Sequence, residues 1–230
     1  MNSGDLGRHR AEAGEGPRAV LSAATYQPLK MPTATVGQRV GLFGGSFNPP
    51  HKGHRHVALT ALSRLSLDRV WWMVTPGNPL KSSDDLAPLA GRVAETEALA
   101  HHPRMVVTAF EASIGTRFSA DAIAHAQRRF PAVRFVWLMG ADNLATLHRW
   151  QKWQDIMRRV PVAVINRPGA SMAALSSPAA RAFARARRPE ADAGALADMV
   201  APAWVFLHGP LEPLSSTVLR SQRRMAGPPS

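Results

Sequence analysis

The chain has 230 residues, no cysteine and a formal net charge of +12. This length accommodates one large domain with extensions, and the lack of cysteine excludes disulfides, a thiolate nucleophile and a cysteine zinc site. No apolar run approaches the roughly 20 residues of a transmembrane helix, and the polar N-terminus has no signal-peptide core. We therefore predict a cytoplasmic protein with no membrane partner, whose positive charge attracts nucleic acid or phosphorylated small molecules.

Residues 1–37 are predicted to form a disordered leader, because they contain few large apolar residues and no periodic pattern. The folded domain is predicted over residues 38–225, with a short tail at 226–230. Within the domain, short apolar runs alternate with longer stretches that are compatible with helices. The apolar runs span 39–44, 69–76, 104–110, 133–140, 160–166 and 203–208, and the helical stretches span 53–66, 89–101, 119–129, 142–158, about 171–188 and 216–225.

This alternation predicts an α/β fold, a Rossmann-like doubly wound parallel sheet of about six strands with helices on both faces. Ligands of such sheets bind beyond the carboxyl ends of the strands. The residues that follow each strand are therefore the candidates for a functional site.

The turn after the first strand reads GGSFNPPHKGH over residues 44–54. Gly44 and Gly45 permit a positive φ and a close approach of a ligand to the backbone. A helix that begins near Lys52 would aim its N–H groups and positive dipole end at this turn. His51 and His54 would share one face of that helix, but a zinc site would need a third ligand that the segment does not supply. The turn is therefore predicted to bind phosphate, and no metal ligands are predicted among the protein side chains.

Polar segments also follow the later strands, and each has a structural alternative. Lys81 could meet a phosphate or lie in an exposed turn, Ser119 could contact a ligand or cap a helix, and Asp142 could bind a ribose or cap the next helix. Trp150 could stack on a flat ring or belong to the core. The segments are TPGNPLK at 75–81, TRFSAD at 116–121, GADNL at 140–144, HRW at 148–150, NRPG at 166–169 and LSSTVLR at 214–220.

The first of these motifs resembles the signature of the nucleotidylyltransferase superfamily, whose hallmark is (His/Thr)-x-Gly-His. More narrowly, GGSFNPPHKGH resembles the bacterial nicotinate-mononucleotide adenylyltransferases, and S-S-T-x-x-R at 215–220 resembles their second signature. G-A-D at 140–142 and R-P-G at 167–169 occur in the matching order, and the resemblance covers about residues 38–225. Two departures are Asn48, where many relatives carry Asp, and Phe118–Ser119 in place of Tyr and Thr.

The resemblance implies that the chain transfers AMP from ATP to nicotinate mononucleotide and releases pyrophosphate, with Mg²⁺ accompanying the ATP. It implies that His54 contacts the α/β-phosphate bridge, that His51 lies beside it, and that Arg220 completes the catalytic set. The implied ATP-binding residues are Gly44, Gly45, Ser46, Phe47, His51, His54, Gly140, Asp142, Arg167, Ser215, Ser216, Thr217 and Arg220. The implied mononucleotide-binding residues are Asn78, Lys81, Phe118, Ser119 and Trp150.

Two alternatives stay open at this point. The acceptor could be nicotinamide mononucleotide or another phosphorylated molecule such as phosphopantetheine, because the sequence does not place the donors that would distinguish an acid from an amide; loops 75–85 and 110–119 are expected to supply them. A basic nucleic-acid-binding protein is the other class, supported by the net charge and by the arginines at 181, 185, 187, 188, 223 and 224. These arginines are not interleaved with aromatic residues for base stacking, which disfavours that class.

Overall fold

A six-stranded sheet forms the centre of the structure, a computed structural model that describes residues 27–77, 86–166 and 171–209. All paired strands are parallel, in the order β3-β2-β1-β4-β5-β6. The strands are β1 (Arg39–Gly45), β2 (Arg69–Val74), β3 (Met105–Thr108), β4 (Arg134–Gly140), β5 (Val162–Ile165) and β6 (Trp204–Leu207). The predicted α/β doubly wound sheet is confirmed. The strand order reverses between β1 and β4, so the crevice beyond their carboxyl ends is the expected binding position.

Both faces of the sheet are buried, which explains why the strands are continuous apolar runs and not alternating ones. Trp71 and Trp72 are adjacent in β2, and each is fully buried, one in the core on each side of the sheet. Trp137 joins Trp71 in one core, and Leu138 joins Trp72 in the other. The buried sheet therefore fixes where the loops that follow its strands begin.

Helices connect the strands, largely at the predicted positions. They are α1 (Lys52–Arg64), α2 (Leu89–Leu99), α3 (Phe110–Ser113), α4 (Ser119–Arg129), α5 (Ala141–Thr146), α6 (Trp153–Arg159), α7 (Ser171–Leu175) and α8 (Pro178–Ala182). Short 3₁₀ segments occur at Gln27–Leu29, Leu147–Arg149 and Ala184–Ala186, and a longer one at Glu190–Asp198. Among the described residues, no helix is long and apolar enough to cross a membrane. The helix predicted at 216–225 lies outside the described residues.

Two of the predicted helices are wrong in extent, because the backbone interrupts them. The stretch 142–158 divides into α5 and α6, since Trp150 is extended and Lys152 adopts a left-handed conformation with φ of 56°. The stretch 171–188 breaks at Ser177, which is extended and accepts a hydrogen bond from the N–H of Ala180, with Pro178 beginning the next helix. Proline at the first helical position is favourable because its missing N–H has no partner there.

Residues 27–37 belong to the folded domain, so the predicted domain start at residue 38 is too late. The hydroxyl of Thr108 donates to the carbonyls of Pro28 and Lys30 at 3.1 and 2.9 Å. The N–H of Gly37 donates to the carbonyl of Ala132, and Met31 packs against the core. The remainder of the predicted leader, residues 1–26, lies outside the described residues.

Gly44 and Gly45 are required for close packing and not for a left-handed backbone, since neither has a positive φ. A Cβ atom on Gly44 would lie 2.5 Å from the ring of Trp137, and one on Gly45 would lie 3.0 Å from the ring of Phe47. The positive φ that glycine permits is therefore not used at either position. Their small size lets two buried aromatic rings approach the strand end that borders the site.

Replacing Gly44 with alanine is expected to lower the free energy of unfolding by about 1–3 kcal/mol, because the added methyl group clashes with a rigid indole. Gly91, inside α2, provides the matched control: nothing lies within 4 Å of its added Cβ. Gly91→Ala should instead stabilise the protein by about 0.5–1 kcal/mol, since alanine restricts the unfolded chain and favours helix. Urea denaturation of both variants checks this, and equal shifts of the two midpoints would contradict it.

Candidate active site

His51 and His54 form the N-terminus of α1 and cap it with their own side chains. His51 is the N-cap residue, and its Nδ1 accepts a hydrogen bond from the N–H of Gly53 at 3.1 Å. In return, Nδ1 of His54 accepts from the N–H of His51 at 3.2 Å. This reciprocal arrangement is a capping box, and it places the two rings 3.8 Å apart.

The same hydrogen bonds determine which nitrogen of each ring carries the proton. A nitrogen that accepts a hydrogen bond holds no proton, so a neutral imidazole bonded through Nδ1 must carry its proton on Nε2. In their neutral forms both histidines therefore carry the proton on Nε2, at the positive end of a helix dipole, and the Nε2 of His51 is buried. Two adjacent donors of this kind suit the oxygens of a phosphate.

Phe47 packs against His54 from the protein core. Its side chain is 1% exposed, and its ring meets that of His54 edge-on with centroids 5.0 Å apart. It also packs against Phe43 and Trp72 of the core. A backbone φ of 43° at Phe47 turns the chain toward the core, where the ring inserts. This position makes Phe47 a packing support for His54.

Arg92, in α2, connects the loops that follow β1 and β2. Its Nη1 donates to the carbonyls of Ser46 and Thr75 at 2.7 and 2.8 Å. Its Nε donates to the carbonyl of Ala87 at 2.8 Å, and Nη2 reaches that of Pro76 at 3.4 Å. Arg92 is only 2% exposed, and burial lowers the pKa of its guanidinium below the ordinary value. The buried guanidinium of Arg92 therefore fixes the spacing between the loop after β1 and the loop after β2, by bonding to their carbonyl groups.

Asn48 adds a second connection at the same place. Its Oδ1 accepts a hydrogen bond from the N–H of Ala87 at 3.2 Å, and its peptide bond to Pro49 is cis. An aspartate oxygen would accept the same bond equally well, because only an acceptor is required. The departure from Asp at this position is therefore compatible with the same loop geometry.

A cavity of about 300 Å³ opens beyond the carboxyl ends of β1 and β2. The aromatic residues Phe118 and Trp150 line it, and so do Gly44 and Gly45. The cavity thus combines apolar surface for a flat ring with backbone near the histidine turn. Its lining residues are Gly44, Gly45, Ser46, Thr75, Gly77, Glu111, Arg117, Phe118, Ser119, Arg149, Trp150 and Gln151.

Glu111 contributes a buried carboxyl group to this cavity. The residue is 2% exposed, and burial raises the pKa of Glu111 to about 7, although a hydrogen bond with the hydroxyl of Thr75 opposes the rise. The native state therefore holds this proton to a higher pH than the unfolded chain does. The associated stability is fully present below about pH 4.5 and is lost as the pH rises through 7.

The family model described as Cytidylyltransferase-like matches residues 42–222, which is most of the chain. The chain belongs to the cytidylyltransferase-like family. A protein from Rhizobium johnstonii named "Probable nicotinate-nucleotide adenylyltransferase" is 57% identical over 191 residues, covering 83% of this chain and 96% of that protein. A protein of the same name from Methylorubrum extorquens is 59% identical over 184 residues, covering 80% of this chain and 100% of its own length.

Among solved structures, the chain is similar to Plasmodium falciparum nicotinic acid mononucleotide adenylyltransferase complexed with APC. The TM-score is 0.58 at 12% identity, with 80% of this chain and 83% of that chain covered. At this identity, the likeness shows the fold alone. It agrees with the doubly wound sheet described above.

In this cytidylyltransferase-like protein, several predicted site residues do converge on the cavity. Phe118 and Ser119 line it together with Trp150, which also packs against the core, so the core interpretation of Trp150 is confirmed and its stacking role stays a prediction. The helix-cap alternative for Ser119 is wrong, because Phe118 occupies the N-cap position of α4 and no side chain caps it.

Other predicted residues lie apart from the cavity or outside the described residues. Asp142 is exposed in the first turn of α5, and Gly140 is the last residue of β4. Neither is among the residues that line the cavity. The predicted residues outside the described part of the chain are Asn78, Lys81, Arg167, Ser215, Ser216, Thr217 and Arg220.

Two polar residues of the site, Arg92 and Glu111, were not predicted from the sequence. The signal for Arg92 is its spacing from Thr96, because residues four apart share one face of a helix and both are buried in α2. Glu111 directly follows an apolar run of the sequence that ends in Phe110, and in the structure it is the second residue of α3, just beyond β3. Within residues 27–77, 86–166 and 171–209, no group of three or more histidine, aspartate or glutamate side chains is arranged to hold a metal ion.

Proposed function

We propose that this protein is a nicotinate-nucleotide adenylyltransferase, which transfers AMP from ATP to nicotinate mononucleotide and yields nicotinate adenine dinucleotide and pyrophosphate. The observation that carries the proposal is the histidine capping box at the start of α1, which follows Gly44, Gly45 and Ser46 of a cavity that Phe118 and Trp150 also line. Relatives named for this activity, 57% and 59% identical over nearly their whole length, support it.

The reaction needs two polyanions to be brought together. A phosphate oxygen of the mononucleotide attacks the α-phosphorus of ATP, the new P–O bond forms, and the bond to the β-phosphate oxygen breaks as pyrophosphate leaves. The attacking oxygen is already anionic near neutral pH, so no general base is required. The protein contributes positioning and stabilisation of the charge that develops on the phosphates.

His54 is proposed to donate its Nε2–H to the bridge between the α- and β-phosphates, with His51 beside it. The backbone of Gly44, Gly45 and Ser46 is proposed to lie along the nucleotide. Arg220 and the hydroxyls of residues 215–217 are proposed as a second phosphate cradle, and Arg167, Gly140 and Asp142 as contacts at the adenosine end. Mg²⁺ is proposed to enter with ATP, held by phosphate oxygens and water.

Phe118, Ser119 and Trp150 are proposed to bind the mononucleotide, with Asn78 and Lys81 contributing from the loop after β2. An indole face offers a flat apolar surface to a pyridine ring.

The direct test of the proposed function is to incubate the protein with ATP and nicotinate mononucleotide and to identify the products by mass. Equal amounts of dinucleotide and pyrophosphate are expected, and release of pyrophosphate without the dinucleotide would contradict the proposal.

The alternative of a nucleic-acid-binding protein gains no support from the arginines of the 181–188 stretch. Arg181 donates to the carbonyl of Ser176 at 3.1 Å, and the guanidinium of Arg187 lies 5.4 Å from the ring centre of Trp204. Arg181 and Arg187 therefore have side-chain partners within the domain. The net charge of +12 suits the proposed substrates, because it attracts multiply charged anions. The cytoplasmic location stays a prediction.

Trp150→Ala is expected to raise KM for nicotinate mononucleotide by about tenfold or more and KM for ATP by much less, since stacking contributes about 1–3 kcal/mol per ring. Trp153→Ala is the control, because Trp153 packs edge-on against Phe183 with ring centroids 5.8 Å apart. That variant should lower Tm and leave the ratio of the two KM values unchanged. Equal rises in both KM values for Trp150→Ala would contradict the stacking role.

A further inference from the structure

Five exposed arginines lie at the edge of the sheet where the strands begin, opposite the edge that borders the cavity. The strands are parallel, so a helix that connects two of them runs back along the sheet and ends at this edge. Helices α4 and α6 each end in a pair of arginines, and a fifth arginine lies beside Trp204, the first residue of β6. We call this group the arginine belt, and its members are Arg128, Arg129, Arg158, Arg159 and Arg187.

Contacts between neighbouring elements make the belt continuous. The side-chain amide of Gln127 in α4 donates to the carbonyl of Arg159 in α6 at 2.8 Å, which brings the two helix ends together. The indole N–H of Trp204 donates to the carbonyl of Phe183 at 2.8 Å, and the guanidinium of Arg158 lies 6.0 Å from the ring centre of Phe183. Packed elements of this kind lie about 8–10 Å apart, so the belt is about 20 Å long.

Aromatic rings orient three of the guanidinium groups. Arg129 lies 5.0 Å from the ring centre of Phe130. Arg187 lies 5.4 Å from that of Trp204, and Arg158 has the ring contact given above. A ring contact uses the flat face of a guanidinium and leaves the N–H groups at its edge free to donate. These three arginines therefore hold planar donor groups in place before any ligand binds.

No carboxylate neutralises the belt within the described part of the chain, where none of its five side chains forms an ion pair. Asp198 lies at the same edge, but its two oxygens already bind Arg39 and Arg134. The belt is therefore a row of positive charges without counter-charges, at the edge of the sheet that faces away from the cavity.

We propose that the arginine belt binds an acidic segment of another protein, in which several aspartate or glutamate side chains follow one another. Guanidinium groups bind carboxylates through two parallel hydrogen bonds, which suits a row of oriented arginines. An extended chain spans about 3.3 Å per residue, so a segment of about six residues matches the belt. Single-stranded nucleic acid fits less well, because the arginines cover the rings on which bases would stack. The segment leaves the cavity open, so the inference does not rest on the proposed function.

The test measures the binding of a fluorescently labelled peptide of about ten glutamates by anisotropy, in about 0.1 M salt so that distant charges are screened. The wild-type protein should bind the peptide. The triple variant Arg129→Gln, Arg158→Gln and Arg187→Gln should raise Kd at least about fivefold, because three oriented ion pairs are lost together. Failure of the wild-type protein to bind the peptide would overturn the inference.

The matched control is the triple variant Arg69→Gln, Arg104→Gln and Arg181→Gln, which removes the same charge from arginines outside the belt. Its Kd should rise by less than about twofold, because distant charges are screened. Equal rises in the two triple variants would overturn the inference, and so would tighter binding of a short DNA duplex than of the peptide.

Hydrogen exchange on the wild-type protein gives a measurement that does not depend on the folding of any variant. The added peptide should slow amide exchange at the ends of α4 and α6, where the belt lies. Binding of the peptide without protection at these two helix ends would place it elsewhere and overturn the inference.

Discussion

His54→Ala is expected to lower kcat by about 100- to 1,000-fold, which is the usual cost of removing one donor to a developing negative charge. The hydrogen bond from the N–H of His51 to Nδ1 of His54 holds the ring so that Nε2 carries the proton. Alanine removes that donor from the start of α1. Single-turnover measurement of dinucleotide formation checks the prediction.

The same substitution also removes one half of the capping box, so a loss of about 1 kcal/mol in the free energy of unfolding should accompany it. This loss leaves most of the protein folded, and the fall in kcat must therefore exceed any fall in folded fraction. His101→Ala is the control, because His101 is an exposed histidine just beyond α2. It should change neither kcat nor Tm appreciably. Near-normal turnover by folded His54→Ala would remove His54 from the mechanism.

Arg92→Met is expected to lower the free energy of unfolding by about 3 kcal/mol, because it leaves buried carbonyl groups without their donors. The carbonyls of Ser46 and Thr75 each lose a bond shorter than 3 Å. The two loops that follow β1 and β2 also lose their common anchor. We therefore expect kcat/KM to fall for ATP and for the mononucleotide alike, even in the folded fraction.

Arg128→Met is the matched control for this change, since Arg128 is exposed near the end of α4. A surface substitution of this kind should alter stability by no more than about 0.5 kcal/mol. Urea denaturation and steady-state kinetics on both variants give the comparison. Equal stability of the two variants would show that Arg92 does not anchor the loops.

The strands and the start of α1 were predictable because the information lies within short stretches of sequence. Continuous apolar runs indicate buried strands, and the two histidines after Pro50 mark the helix start. The packing requirement for a glycine at position 44 was not predictable, because the ring that a Cβ would contact belongs to Trp137 on the neighbouring strand β4. Sequence spacing alone does not tell which strands become neighbours.

The aromatic part of the candidate site was predictable from the resemblance, whereas its buried polar groups were not. Phe118, Ser119 and Trp150 lie in recognisable motifs and line one cavity. Arg92 and Glu111 are residue types that are almost never fully buried unless they are paired, so the default expectation places them at the surface. Their burial depends on contacts between loops that are distant in sequence. The break at Lys152 also depends on packing, since no glycine or proline marks it.

The most direct measurement of the central proposal is pyrophosphate release from ATP with each of three acceptors at equal concentration. The acceptors are nicotinate mononucleotide, nicotinamide mononucleotide and phosphopantetheine. The account predicts the fastest turnover with nicotinate mononucleotide and none with phosphopantetheine, because the cavity lined by Phe118 and Trp150 offers apolar surface to a flat pyridine ring. Preferred turnover of phosphopantetheine, or no turnover with any acceptor, would contradict it.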